Sequence, residues 1–301
     1  MAITPSRWQF WIDRGGTFTD VVACSPEGAV RTAKFLSEDP ARPGDAAVAA
    51  IRHLTGTPQG ALPPCDVRMG TTVATNALLE RKGEPAVLAI TQGFGDALRI
   101  GTQDRPELFV REIVLPEPPH ARVIEIAERV MADGTIETPL DEAQALAAFR
   151  AAVADGLTSI AIVLMHGWCY PAHEARLEAL AREAGFTQIS VSHRLAPLIK
   201  LVPRGDTTLI DAYLSPVLRR YVDRFSGELG GHIRPLFMQS SGGLIEGSRF
   251  HGKDAILSGP AGGIVGMART AEFSGAAWVI GFDMGGTSTD VSHYAGHYER
   301  D

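Results

Sequence analysis

The sequence predicts an α/β fold, and three observations carry that prediction. Short apolar runs of strand type alternate with helical patterns along the chain. A ten-residue loop motif occurs twice, each time between apolar, strand-like flanks. The composition, 45% hydrophobic and 21% charged over 301 residues, is that of a chain with enough apolar material for a real core, which excludes wholesale disorder. The length suggests about two domains.

The elements follow in order. Phe10-Trp11-Ile12 and Val21-Val22-Ala23 flank the first loop as a hairpin, and Ala29 to Leu36 reads as a strand. Ala46 to Leu54 and Ala74 to Arg81 read as helices, and Ala86 to Thr91 as a strand. Pro116-Glu-Pro-Pro119 marks a loop. Thr138-Pro139-Leu140-Asp141 predicts a helix start with Pro139 at the first helical position, and the helix runs to Ala154 before Asp155-Gly156. Ser159 to Met165 is a buried strand, Pro171 to Ala184 a helix closed by Gly185, and Gln188 to Ser192 a strand. Leu209, Tyr213, Val217, Tyr221 and Phe225 give helical spacing over Asp206 to Leu229, with a kink expected at Pro216. Arg234 to Gln239 is a strand. The chain is expected to pass to a second unit around Ala196 to Asp206, giving an N-terminal lobe over 1–200 and the start of a second over 201–301.

The repeat is the most informative feature. Ile12-Asp-Arg-Gly-Gly-Thr-Phe-Thr-Asp-Val21 returns as Phe282-Asp-Met-Gly-Gly-Thr-Ser-Thr-Asp-Val291, identical at seven of ten positions. Because Asp290 of the second copy lies only eleven residues before Asp301, the sequence is expected to be the N-terminal portion of a longer protein. A Gly-Gly bend lets backbone approach a ligand and turns successive N–H groups toward phosphate oxygens. Threonine hydroxyls add donors. Aspartates repel phosphate directly but meet it through a divalent cation, which is commonly held by one or two carboxylates plus substrate phosphates. Two such loops facing each other would clamp a polyphosphate and its metal, the arrangement phosphoryl transfer needs. No G-x-x-x-x-G-K-[ST] loop is present.

The duplicated loop resembles the two phosphate loops of the actin/Hsp70/sugar-kinase superfamily. The fold it implies is a pair of actin/Hsp70-like (ribonuclease H-like) ATPase lobes, the second incomplete. The wording of the motif, together with Met69-Gly-Thr-Thr-Val-Ala-Thr-Asn-Ala-Leu-Leu-Glu-Arg-Lys-Gly83, Ile100-Gly-Thr-Gln103 and Leu257-Ser-Gly-Pro-Ala-Gly-Gly263, resembles the hydantoinase/oxoprolinase family. That resemblance implies ATP-dependent opening of a cyclic amide. The lactam oxygen of 5-oxo-L-proline is phosphorylated, water attacks, and L-glutamate, ADP and phosphate result. It also implies a C-terminal half or a separate hydantoinase B-type subunit that completes hydrolysis, and an oligomer. Relatives acting on hydantoins or carboxylating ketones carry similar motifs, and a non-enzymatic actin/Hsp70-like nucleotide switch is the alternative from another class.

By matched position, Asp13 and Asp283 are expected to organise Mg²⁺ (or Mn²⁺) and water. Gly15, Gly16, Thr17, Thr19, Gly285, Gly286, Thr287 and Thr289 are expected to meet the phosphates of ATP. Asp20 and Asp290 either join them or hold the hairpins in shape. Gly259 to Gly263 resembles the opening of the superfamily's close-packed connecting helix. The adenosine motif normally follows the second loop, beyond this chain's last residue.

Other signals remain two-sided. Thr71, Thr72, Thr75 and Asn76 suit a substrate anion or ordinary helix capping. Arg204 suits a substrate carboxylate or a salt bridge. Ser240-Ser-Gly-Gly243 suits a ligand loop or a simple turn. His166, Cys169 and His173 lack an obvious fourth ligand for zinc. Cys24 has no informative base nearby. The net charge of −7 argues against a nucleic-acid partner. The longest clean apolar run, Ile160 to Met165, is too short for a membrane helix. No signal peptide and only three scattered cysteines point to a cytoplasmic setting.

Overall fold

The computed structural model describes residues 6–102, 109–284 and 289–298. They group into two compact units, one built from Met1–Glu80 with Leu218–Asp301 and the other from Arg81–Val217. These bounds differ from the expected 1–200 and 201–301: the chain leaves the first unit after Glu80 and returns to it at Leu218.

The first unit opens with an antiparallel meander of β1 (Trp8–Arg14), β2 (Phe18–Cys24) and β3 (Val30–Leu36). Strict alternation buries Phe10, Ile12, Val21 and Ala23 on one face. α1 (Ala46–Thr55) is capped by Asp45, whose carboxylate accepts from Ala47 N at 2.8 Å, and ends at Gly56 with φ 67°. β4 (Cys65–Thr71) then pairs parallel to β1 and leads into α2 (Val73–Leu79). β4 has the period-2 pattern of a half-buried strand, yet its place at the centre of the sheet is a product of tertiary pairing.

The second unit is a four-stranded sheet, β5 (Ala86–Thr91), β6 (His120–Ile126), β9 (Ser159–Val163) and β10 (Gln188–Val191), all parallel, in the order β10-β9-β5-β6. Between them lie α3 (Ala97–Ile100), a small hairpin of β7 (Arg129–Val130) and β8 (Ile136–Thr138), α4 (Glu142–Ala154), α5 (Ala172–Ala184) and α6 (Ser192–Leu195). Phe149, Leu177 and Leu180 cover one face, and Leu209 and Ala212 of α7 (Leu201–Leu229) pack on the other. Burial on both faces explains why β5 and β9 read as unbroken apolar runs. The α4 start corrects the expectation: Thr138 ends β8, and Asp141 is the cap, accepting from Gln144 N at 2.9 Å. Gly83 is required by packing, because a Cβ there would sit 2.1 Å from the buried Tyr213 ring. Gly83→Ala is expected to cost about 1–3 kcal/mol by overpacking, read as a lower urea midpoint; an unchanged midpoint would show that the ring yields.

Helix α7 carries Pro216 and brings the chain back to the first unit. There β11 (Leu236–Met238) joins β4 in parallel and β12 (Leu244–Glu246) closes the edge, giving the order β12-β11-β4-β1-β2-β3. Phe225 of α7 packs edge-on to Phe237 at 6.2 Å between ring centres. After α8 (Gly252–Ala255), α9 (Ser258–Ser274) leads to the second hairpin, β13 (Val279–Met284) and β14 (Thr289–Tyr294). Among the described residues no helix is long and apolar enough to cross a membrane.

Candidate functional site

The strands that flank the two copies of the motif pair in the same antiparallel way. Asp13 faces Asp20 across β1–β2, and Asp283 faces Asp290 across β13–β14. Both hairpins belong to the first unit and border one cleft of about 480 Å³. The first hairpin contributes Asp13, Gly15, Gly16, Thr17 and Asp20, and the second contributes Asp283 and Asp290. Thr72, at the end of β4, and Gly259 and Pro260, in the first turn of α9, complete the walls. The α9 N-terminus adds the positive end of a helix dipole to a cleft otherwise rich in carboxylates. A Cβ on Gly263 would lie 3.8 Å from Asp283 Oδ2, so small residues on α9 leave room for that carboxylate.

Charge is the dominant property of the cleft. The Asp13 carboxyl is raised above the ordinary aspartate value, first by burial and then by Asp283 and Asp20; Lys34 opposes the rise. Uncompensated carboxylates of this kind fit a bound cation. Among the described residues no three acidic, histidine or cysteine side chains converge closely enough to hold a metal alone. A cation shared between one or two aspartates and a ligand's phosphates fits both facts.

The hairpin is fixed from behind. Gly15 N donates to Phe18 O at 2.9 Å, and a Cβ on Gly15 would lie 3.0 Å from that oxygen. Thr19 is buried on the opposite face, 2.9 Å from Ser37 Oγ, which donates to Gly15 O at 2.7 Å. Arg14, one of the three motif positions at which the copies differ, turns away from the cleft toward Asp45 at 3.6 Å and stacks its guanidinium on Tyr221 at 5.0 Å. Glu228 Oε2 accepts from Asp45 N at 2.8 Å, joining α7 to the same support. Burial pushes the Tyr221 phenol well up.

Several expected residues stand elsewhere. Thr19 does not line the cleft, because strand alternation sends Phe18 and Asp20 there instead. Thr289 is also absent from its walls, and Gly285, Gly286 and Thr287 lie outside the described residues. Thr71 is buried beneath it, its carbonyl accepting from Ser258 Oγ at 3.1 Å. Asn76 donates to Thr72 Oγ1 at 3.4 Å, four residues back along the chain, and Thr75 Oγ1 accepts from Leu257 N at 3.1 Å, which ties α2 to the residue before α9. Arg204 is fully buried in the second unit, where its guanidinium donates to the carbonyls of Leu164 and Leu198. That position replaces the expected reach toward a substrate carboxylate. His166 Nδ1 meets Val130 O at 2.7 Å and His173 Nδ1 meets Glu128 Oε2 at 2.8 Å. Ser240 to Gly243 forms the tight turn between β11 and β12, with Gln239 N bonded to Gly243 O at 2.8 Å. The residue that sequence reading missed is Lys34, which lines the cleft. The signal was the β2–β3 register, which sets Lys34 directly opposite Asp20.

A mixed α/β architecture bearing paired Asp-x-Gly-Gly-Thr hairpins defines an actin/Hsp70-like fold. It matches the structure of the ATP-dependent caprolactamase from Pseudomonas jessenii with a TM-score of 0.79 and 34% identity, over 95% of this chain and 43% of that one. It matches nucleotide-free acetone carboxylase with a TM-score of 0.79 and 24% identity, over 96% of this chain and 44% of that one, which bears on the fold alone. The chain belongs to the hydantoinase/oxoprolinase family: the profile of the hydantoinase/oxoprolinase N-terminal region matches residues 9–185, and that of hydantoinase/oxoprolinase matches 204–301. It is 43% identical to 5-oxoprolinase 1 of Arabidopsis thaliana over 99% of its own length, and spans 26% of that relative.

Proposed function

We propose that the complete protein is an ATP-dependent hydrolase of cyclic amides, with this chain as its ATP-binding portion and 5-oxo-L-proline as its substrate. The observation that carries the reading is the convergence of Asp13, Asp283 and the Gly15-Gly16-Thr17 bend on one cleft. The names of two relatives, a 5-oxoprolinase and an ATP-dependent caprolactamase, support lactam chemistry.

A five-membered lactam is a poor electrophile, because its nitrogen lone pair is delocalised into the carbonyl. Transfer of the γ-phosphoryl group of ATP to the lactam oxygen forms an O–P bond, releases ADP and supplies a leaving group. Water then adds to the activated carbon and the ring C–N bond opens to leave γ-glutamyl phosphate, which a second water hydrolyses to glutamate and phosphate. In this scheme Gly15 and Gly16 offer backbone N–H groups, and Thr17 a hydroxyl, to phosphate oxygens. Asp13 and Asp283 hold the divalent cation, Mg²⁺, and its waters. By sequence identity Gly285, Gly286 and Thr287 take the matching roles in the second loop. The cation, when bound, neutralises charge on the transferring phosphoryl group. Completion of hydrolysis falls to a further portion of the protein, either fused or a separate hydantoinase B-type subunit.

Phosphate release from ATP and Mg²⁺ by the complete protein, with and without 5-oxo-L-proline, tests the reading. Stimulation by the lactam, with glutamate and phosphate formed in equal amounts, is expected. Steady hydrolysis without stimulation would remove 5-oxoproline as the substrate, and hydantoins or ketones with bicarbonate would take its place.

A further inference from the structure

We propose that Lys34 is the phosphate-contacting cation of the cleft, held ready at its rim by Asp20 and transferred to the terminal phosphate oxygens when nucleotide binds. The inference rests on the nucleotide reading above and deepens it.

Four aspartates border the cleft: Asp13, Asp20, Asp283 and Asp290. Lys34 is the one lysine or arginine among its described lining residues. The β2–β3 register places Lys34 directly across from Asp20, on the same face of the sheet. Lys34 Nζ reaches both Asp20 oxygens, at 2.8 and 2.7 Å, and lies 4.8 Å from the centre of the Phe18 ring. Phe18 and Asp20 themselves line the cleft. The ammonium is thus fixed by a carboxylate and an aromatic face beside the Gly-Gly bend.

Stability alone does not account for this arrangement. Both partners are about half exposed, Lys34 at 55% and Asp20 at 53%, and ion pairs of that kind contribute little to folding. An exposed, flexible lysine is easily drawn from one anion to a stronger one, and a polyphosphate presents the stronger charge.

Binding of ATP and of AMP to the complete protein in Mg²⁺, measured by calorimetry for wild type, Lys34→Gln and Lys34→Arg, tests the inference. Loss of one charge-assisted contact to the terminal phosphates is expected to weaken ATP binding about 10-fold or more in Lys34→Gln. AMP affinity is expected to stay unchanged, and Lys34→Arg to recover most of the loss. Equal ATP affinity in wild type and Lys34→Gln would overturn the proposal. So would equal weakening of ATP and AMP, which marks a structural defect. A wild-type protein that binds no nucleotide would overturn the nucleotide reading itself, and this inference with it.

Discussion

Asp13→Asn is expected to lower ATP hydrolysis by the complete protein about 100-fold, and at the same time to raise the melting temperature of the metal-free protein at neutral pH. The first effect follows from the proposed role of the carboxylate as cation holder. An amide keeps the shape of the side chain and loses the charge, so the cation is held weakly and phosphoryl transfer loses its main electrostatic support. The second effect follows from the electrostatics of the cleft. The Asp13 carboxyl is raised by burial, by Asp283 and by Asp20. A carboxyl whose value is higher in the folded chain than in the unfolded one favours folding below the ordinary value of 3.8. That contribution is lost as pH rises through the raised value, so at neutral pH the charged form works against folding. Removing the charge removes the penalty. Thermal melts in EDTA at pH 7 check the stability half, and addition of Mg²⁺ is expected to stabilise wild type and not the variant. Identical melting temperatures in EDTA would defeat the account of Asp13 as a charge at odds with its surroundings. Asp283→Asn should repeat the loss of activity, since that residue occupies the matching position of the second hairpin.

The hairpin strands were legible because the motif occurs twice: its identities carry the flanking strands and the opposed aspartates in both copies. The parallel sheet of the second unit was legible for a similar reason, since β5 and β9 are buried on both faces and read as continuous apolar runs. What local pattern did not convey is pairing between distant segments. Thr19 looked like a phosphate ligand because it belongs to the motif, yet alternation along β2 turns it into the core against Ser37. Lys34 lies outside the motif and enters the cleft only through the β2–β3 register. Arg204 offered no sign of its burial, because the carbonyls that hold it come from Leu164 and Leu198, outside its own turn of helix. The split of the first unit around Arg81–Val217 was hidden for the same reason: chain order alone does not show that β11 returns to pair with β4.

Glu174→Ala is expected to produce the largest loss of stability in the second unit. Glu174 is fully buried in the first turn of α5, where the parallel strands end. Its carboxylate accepts from Leu164 N at 2.8 Å, Ser192 Oγ at 2.6 Å, His193 N at 3.0 Å and His193 Nδ1 at 2.7 Å. Those donors sit just beyond β9 and at the start of α6, where backbone N–H groups leave the sheet ladder and require new acceptors. Its charge also acts favourably on the buried Arg204 guanidinium, whose own value burial lowers. Truncation to alanine strands several buried donors and removes that compensating charge, a change that costs about 3–5 kcal/mol in buried pairs. Glu174→Gln keeps the volume and most acceptor contacts but turns an amide NH₂ toward groups that themselves donate, so a smaller loss of about 1–3 kcal/mol is expected. The space around the carboxylate is equally constrained: a Cβ on Gly167 would lie 2.4 Å from Glu174 Oε1, so Gly167→Ala displaces the same carboxylate from its donors. Urea unfolding, together with amide hydrogen exchange at Leu164 and His193, distinguishes these outcomes. Faster exchange at both amides in all three variants, largest in Glu174→Ala, is the pattern expected of one carboxylate tying the strand ends together. Unchanged exchange in Glu174→Ala would mean that other acceptors hold those amides and that Glu174 is dispensable to the unit.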